Sequence, residues 1–169
     1  MRLQSQVEVH ADADTVWEVV GKRFAEIQNW ARPVFASEGY GNPDAFPGAA
    51  YAGRTCNTTI GPIREALTEY DDQRLRISFD VTGDKMPKSM RSFRGGWRLE
   101  PSGTERTLVR VEATLIIAPP LNLLMGPMMK LRMGGALKQA TEDLRHYVET
   151  GYPHPAKVKM SAKRPRVAH

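Results

Sequence analysis

Cysteine is nearly absent from this 169-residue chain. Cys56 stands alone, which excludes an intrachain disulfide and any cysteine-based zinc cage. Long apolar runs are missing too. Nothing approaches the ~20 consecutive apolar residues that a bilayer-spanning helix needs, and Met1–Ser5 lacks the apolar core of a signal peptide. A reducing cytoplasm is the expected compartment. The motifs of common chemistries are also lacking. There is no Gly-x-Ser-x-Gly elbow, no His-Glu-x-x-His helix, no P-loop and no dinucleotide glycine fingerprint. Of the four histidines, His10 ends a strand pattern, His146 falls on the last helix pattern, and His154 and His169 belong to the C-terminal tail. They form neither a triad nor a metal set, so no metal and no cofactor are expected.

Acid in the tail is a further absence. The net charge of +5 rests on Lys157, Lys159, Lys163, Arg164 and Arg166, and the remaining 19 basic residues balance the 19 acidic ones. The basic excess therefore describes residues 151–169, read as a disordered solvated tail, and not the body. Such a tail could touch nucleic acid or anionic lipid, but the body has no basic face with interleaved aromatics, so nucleic-acid binding is not expected. With 41% hydrophobic and 25% charged residues, the body reads as one soluble domain over 1–150.

The periodicity is that of a sheet followed by a long helix. Leu3–His10 alternates as a half-buried strand. Asp12 is placed to cap a short helix that buries Val16, Trp17, Val19 and Val20, and a second short helix spans Phe24 to Trp30. A strand follows Arg32–Phe35, and Gly39–Gly48 reads as a loop. Strand patterns then cover Tyr51–Thr59, Ile63–Tyr70, Leu75–Val81, Met90–Leu99 and Leu108–Ile117, separated by turn residues. The closing segment, Pro119–Glu149, is helical, with Met129, Met133, Leu137, Ala140, Leu144 and Val148 in one stripe. Gly134 and Gly135 within it point to a bend or a close approach of sheet to helix. The expected class is α+β: a curved antiparallel sheet wrapped around a long C-terminal helix, with two short helices after the first strand. Any space left between sheet and helix is the place to look for function.

Asp12–Trp17, Trp30, Gly53-Arg54, Gly61–Leu67, Tyr70–Asp72, Trp97–Pro101 with Gly103-Thr104, and Leu144–Glu149 together resemble the START/polyketide cyclase (SRPBCC) superfamily, closest to its polyketide cyclase/dehydrase-like branch. The resemblance covers about residues 3–150 and implies the helix-grip fold. Its motifs are framework motifs, and that scaffold hosts binding, transport and catalysis alike.

Within such a cavity Glu65 and Glu112 draw notice because they sit inside strands. A carboxylate facing an apolar space is costly unless paired or protonated. It could orient a ligand through water or move a proton. It could equally pair with Arg54, Arg64, Arg94 or Arg110, or lie on the outer face. Arg54 and Arg94 are the candidates for polarising a carbonyl, with the facing of Arg94 dependent on whether Gly95-Gly96 forms a bulge. Catalytic candidates are thus Glu65, Glu112 and Arg54. The resemblance adds Phe79, Val81, Met90 and Ser92 as pocket-facing positions, Trp30 and Phe35 at the mouth, and Gly39–Gly48 with Gly83–Lys88 as loops at one end; Thr114, on the Glu112 face of its strand, joins the candidates. Met125, Met128, Met129 and Met133 suit a pliable wall, as adaptable packers. The expected function is binding of a small hydrophobic molecule, lipid-, polyketide- or aromatic-like. The alternative is an aromatase/cyclase or related lyase in the same cavity. Monomer and homodimer are both compatible with the sequence.

Overall fold

The computed structural model of the chain describes residues 1–119 and 121–162, the side chains of 121–125 excepted. Strand β1 (Arg2–Val9) leads into α1 (Ala13–Trp17), which runs on as a π-helical turn (Glu18–Lys22) and then a 3₁₀ segment (Phe24–Asn29). Six strands follow: β2 (Val34–Tyr40), β3 (Gly53–Thr58), β4 (Gly61–Asp71), β5 (Arg76–Thr82), β6 (Met90–Gly103) and β7 (Arg106–Ile117). Helix α2 (Leu121–Thr150) and α3 (Pro155–Ala162) complete the order. The strands form one antiparallel sheet in the order β1-β7-β6-β5-β4-β3-β2. This is the α+β helix-grip layout that the strand and helix periodicities predict.

Local chemistry explains the turns of this path. Asp12 caps α1, its carboxylate accepting from the Thr15 amide at 2.8 Å and the Thr15 hydroxyl at 2.7 Å. Those bonds hold its carboxyl below the usual range. In β4 the register shifts between Leu67 and Glu69. The shift turns Tyr70 inward, where its ring meets Trp17 at 5.4 Å, and the Trp17 indole donates to Asp72 at 2.6 Å. Gly95 lies opposite Phe79, and a Cβ there would come within 2.7 Å of the Phe79 ring. The glycine is what lets that ring lie flat on the sheet.

The inner face is filled unevenly. Toward β1 and β7 it is solid, with Val9, Ile77, Val109 and Leu115 fully buried under Val16, Trp17 and, from α2, Leu137 and Leu144. Each such side chain contributes about 1.5–3 kcal/mol through burial. α2 packs on β1 and β7 through its C-terminal half, with Met133, Ala140, Tyr147 and Val148 partly buried. Its N-terminal half is different. Met128 is 48% and Leu131 79% exposed, and a Cβ added at Gly134 or Gly135 would meet nothing within 4 Å. The sheet therefore makes no close approach at the two glycines, which removes one of the two alternatives above.

Residues 155–162 also depart from expectation. In place of a disordered segment they form α3, whose Lys157 is buried and donates to the Val34 carbonyl. Asp143 of α2, fully buried, is gripped by Arg32 through its amide at 2.9 Å and its guanidinium at 2.5 Å. That carboxylate also favours the charged form of Lys157, against a burial that lowers its pKa. An internal anion explains why a lysine from a basic tail turns inward. Among the described residues no helix is long and apolar enough to cross a membrane.

Candidate functional site

Adjacent strands place Arg54 and Glu65 directly opposite each other in the β3–β4 register, both on the inner face and both buried. Arg54 donates Nε to a Glu65 carboxylate oxygen and Nη1 to the Phe24 carbonyl. Its guanidinium also lies 5.3 Å from the Phe79 ring centre and 5.4 Å from that of Phe24. The carboxylate satisfies the cation, the carbonyl takes a second donor, and two π-faces cover the rest. Two of the sequence possibilities thus hold together, since Glu65 faces inward and is paired with Arg54.

Cys56 lies on the same face, its sulfur 3.6 Å from the Ser37 hydroxyl, which in turn donates to the Ala25 carbonyl at 2.6 Å. Burial pushes its thiol pKa up, opposed by the nearby Arg54 charge. It is a protonated, inert thiol at neutral pH.

Phe79 and Val81 are buried on the inner face beside this pair. Strand pairing between β5 and β6 stops at Asp80 and Arg94. Beyond that point the strands part, leaving a cleft of about 350 Å³ whose lining includes Val81, Met86, Met90 and Phe93. Met86, Met90 and Phe93 are only partly buried against the core. Asp80, Thr82, Lys88, Arg91 and Ser92 line the cleft as well, so its surface is mixed in polarity. Met86 and Phe93 escaped the sequence reading. The inward alternation of Phe93, Gly95 and Trp97 was the signal for the second; the first sits in a turn and gave none.

Other expected positions fall elsewhere. Trp30 is not at a mouth: it is 4% exposed and meets Trp97 edge-on at 5.8 Å. Phe35 is half-buried where the β2–β3 register shifts. Ser92, Arg94, Glu112 and Thr114 lie on the outer face. The β6–β7 register pairs Arg94 with Thr114 and Gly96 with Glu112, and places Ala113 of the buried set opposite Gly95. No bulge occurs at Gly95-Gly96; the shifts in β6 lie between Met90 and Ser92 and between Pro101 and Gly103. Arg94 is bonded outside to Asp80 at 2.8 Å, and Glu112 to Arg2 at 2.6 Å. Arg94, Glu112 and Thr114 do converge, but on a hollow of about 150 Å³ on the outer surface, together with Arg2, Arg76 and Arg98. Met129 and Met133 are partly buried on α2, and the side chain of Met125 lies outside the described residues.

A larger hollow, about 790 Å³, is open to solvent and lined mainly by the outward-facing Glu38, Thr55, Asn57, Arg64 and Thr82. It is a surface groove and does not reach the Arg54–Glu65 pair. The two loops expected at one end are at opposite ends. Gly48 abuts Asp72 of the β4–β5 turn, whereas Lys85 abuts Gly61 of the β3–β4 turn. Among the described residues no group of three or more His, Cys, Asp or Glu side chains is placed to hold a metal.

The sequence matches a family model over residues 1–149, described as polyketide cyclase / dehydrase and lipid transport. The chain belongs to this family. Its fold is similar to that of a START superfamily protein from Mycobacterium smegmatis (TM-score 0.70, 18% identity, 88% of this chain and 97% of that one). It is likewise similar to norcoclaurine synthase from Thalictrum flavum, solved as a point mutant with a transition-state analogue (TM-score 0.68, 13% identity, 88% and 93%), and to a Thermobifida fusca protein (TM-score 0.65, 21% identity, 90% and 97%). At these identities the likeness shows the fold alone. No curated protein sequence matches the chain significantly.

Proposed function

We propose that this family member binds and carries a small, uncharged, hydrophobic molecule, held between the inner face of β4–β6 and the N-terminal half of α2. The observation that carries this reading is the cleft between β5 and β6, where Val81, Met86, Met90 and Phe93 offer apolar surface among the polar Asp80, Thr82, Lys88, Arg91 and Ser92. Its neighbourhood sets the charge of the guest. Arg54 is already met by Glu65 and the Phe24 carbonyl, so an anionic ligand would have to displace a buried carboxylate, while an uncharged one leaves the pair intact.

A cyclase or lyase reading keeps one specific support. Of the three catalytic candidates, Arg54 and Glu65 come together inside. Glu65 would then move a proton while Arg54 polarises a carbonyl, which requires the substrate to open their mutual bond. Native mass spectrometry of the chain purified without detergent tests the first reading. It should retain an uncharged apolar compound, unaltered on prolonged incubation, and Val81→Trp should abolish retention. A bare wild-type chain that also fails to take up added uncharged lipids or polycyclic aromatics would overturn carriage. Conversion of the retained compound, lost in Glu65→Gln, would replace it with catalysis.

A further inference from the structure

At the end of the sheet where β5 and β6 part, three segments meet. The β3–β4 turn exposes Ile60 to 65%, and its Gly61 touches Lys85 of the β5–β6 loop. That loop is joined in turn to the start of α2, where the Ala118 amide donates to the Ser89 carbonyl at 2.7 Å. About 10–15 Å further along α2, Met128 and Leu131 stand 48% and 79% exposed, one helical step apart. A leucine four-fifths exposed on a helix next to an exposed methionine is an apolar face without a partner among the described residues.

The charges around that face are mostly basic. Lys130 and Arg132 flank Leu131 and are exposed, and Lys85 and Lys88 of the adjoining loop and Arg91 at the start of β6 are exposed as well. Asp84 is the one acid in the loop, and between Glu112 and Glu142 the chain has no acidic residue at all. The body as a whole is charge-balanced, so this is a local excess of cations around apolar tips. That combination is complementary to a surface with anions in a plane above hydrocarbon.

We propose that this end of the molecule docks onto an anionic lipid bilayer, with Leu131 and Met128 of α2 and Ile60 of the β3–β4 turn entering the headgroup layer and Lys85, Lys88, Arg91, Lys130 and Arg132 facing lipid phosphates. Docking goes beyond the carrier reading and does not require it. It places the β5–β6 cleft beside the membrane, where an apolar guest would pass between bilayer and protein without crossing water.

The test is sedimentation of the full chain with vesicles of phosphatidylcholine alone or with roughly 30% phosphatidylglycerol. The protein should bind the anionic vesicles and leave the neutral ones. Salt at about 0.5 M should release it, since screening there acts within a few ångströms. Each cation near the surface adds about fivefold to partitioning, so Lys130→Glu with Arg132→Glu should weaken binding by at least about tenfold. Met128→Glu with Leu131→Glu should do the same by removing the apolar insertion. All four positions are surface-exposed or partly so, and thermal unfolding of the variants checks that they remain folded. Absence of binding to anionic vesicles would overturn the proposal. So would unchanged binding in both variants, or binding lost only when Lys163, Arg164 and Arg166 are changed to glutamine, which would assign it to the tail. A wild-type dimer that Leu131→Glu dissociates, with no vesicle binding, would assign the face to a second copy of the chain and equally overturn it.

Discussion

Breaking the Arg54–Glu65 pair from one side should be among the most damaging single changes available in this domain. Arg54→Met leaves a carboxylate in the interior with no cation. Glu65→Leu leaves a guanidinium facing only the Phe24 carbonyl and two rings. The side chains are 4% and 10% exposed, so water screens little of the loss. Removing one member of a buried pair costs about 3–5 kcal/mol. In a domain of this size each kcal/mol moves Tm by about 2–4 °C, so each single variant should unfold roughly 10 °C below wild type. The double variant Arg54→Met/Glu65→Leu removes both charges and keeps the volume. It leaves only the Phe24 carbonyl without its donor, a loss of about 1–2 kcal/mol. Urea unfolding of all four proteins closes the cycle. The reasoning is refuted if either single variant lies within about 1 kcal/mol of wild type, or if the double variant is destabilised by the sum of the singles.

Other expectations follow from the same geometry. Arg94→Ala and Glu112→Ala, both on the outer face, should leave the thermal midpoint nearly unchanged and ligand retention intact; a retention defect in either would contradict their placement. Asp12→Ala should lower the thermal midpoint at neutral pH. Because the folded state holds the Asp12 carboxyl below its ordinary 3.8, that difference should be full above 3.8 and fade as pH falls through the folded value. Lys157 has the opposite sense. Burial lowers its pKa from the ordinary 10.5, so the unfolded chain holds that proton more tightly, and wild type should gain stability relative to Lys157→Met as pH rises through the folded value toward 10.5. Hydrogen exchange over residues 155–162 should in addition be faster in Lys157→Met, through loss of the bond to Val34.

Much of the framework was legible because its signals are local. Turn residues separate the strands, Asp12 caps α1 as its position predicts, and the Leu137–Leu144 stripe of α2 faces the sheet. The Arg54–Glu65 pairing was legible as one of several possibilities, since both fall within adjacent strand patterns. The facing of Glu112 was in the sequence as well. Arg110 and Glu112 alternate with Val109, Val111, Ala113 and Leu115, and the apolar series takes the core. Keeping Glu112 among the cavity candidates set aside the period-two pattern of its own strand. Arg94 was harder, because the phase of β6 depends on where its bulges lie, and two consecutive glycines are silent about that. Nothing in composition could place Lys157 inside. Its burial depends on Asp143 and the Val34 carbonyl, contacts across more than a hundred residues in the second case.

The most direct test of the central claim uses the methionine methyl groups as reporters. In protein labelled with carbon-13 at these positions and titrated with Nile red, an uncharged apolar probe, the account predicts shifts at Met86, Met90, Met129 and Met133 and none at Met1 or Met160. Shifts confined to Met1, Met160 or Met128, or none at saturating probe, would contradict a guest held between the sheet and α2.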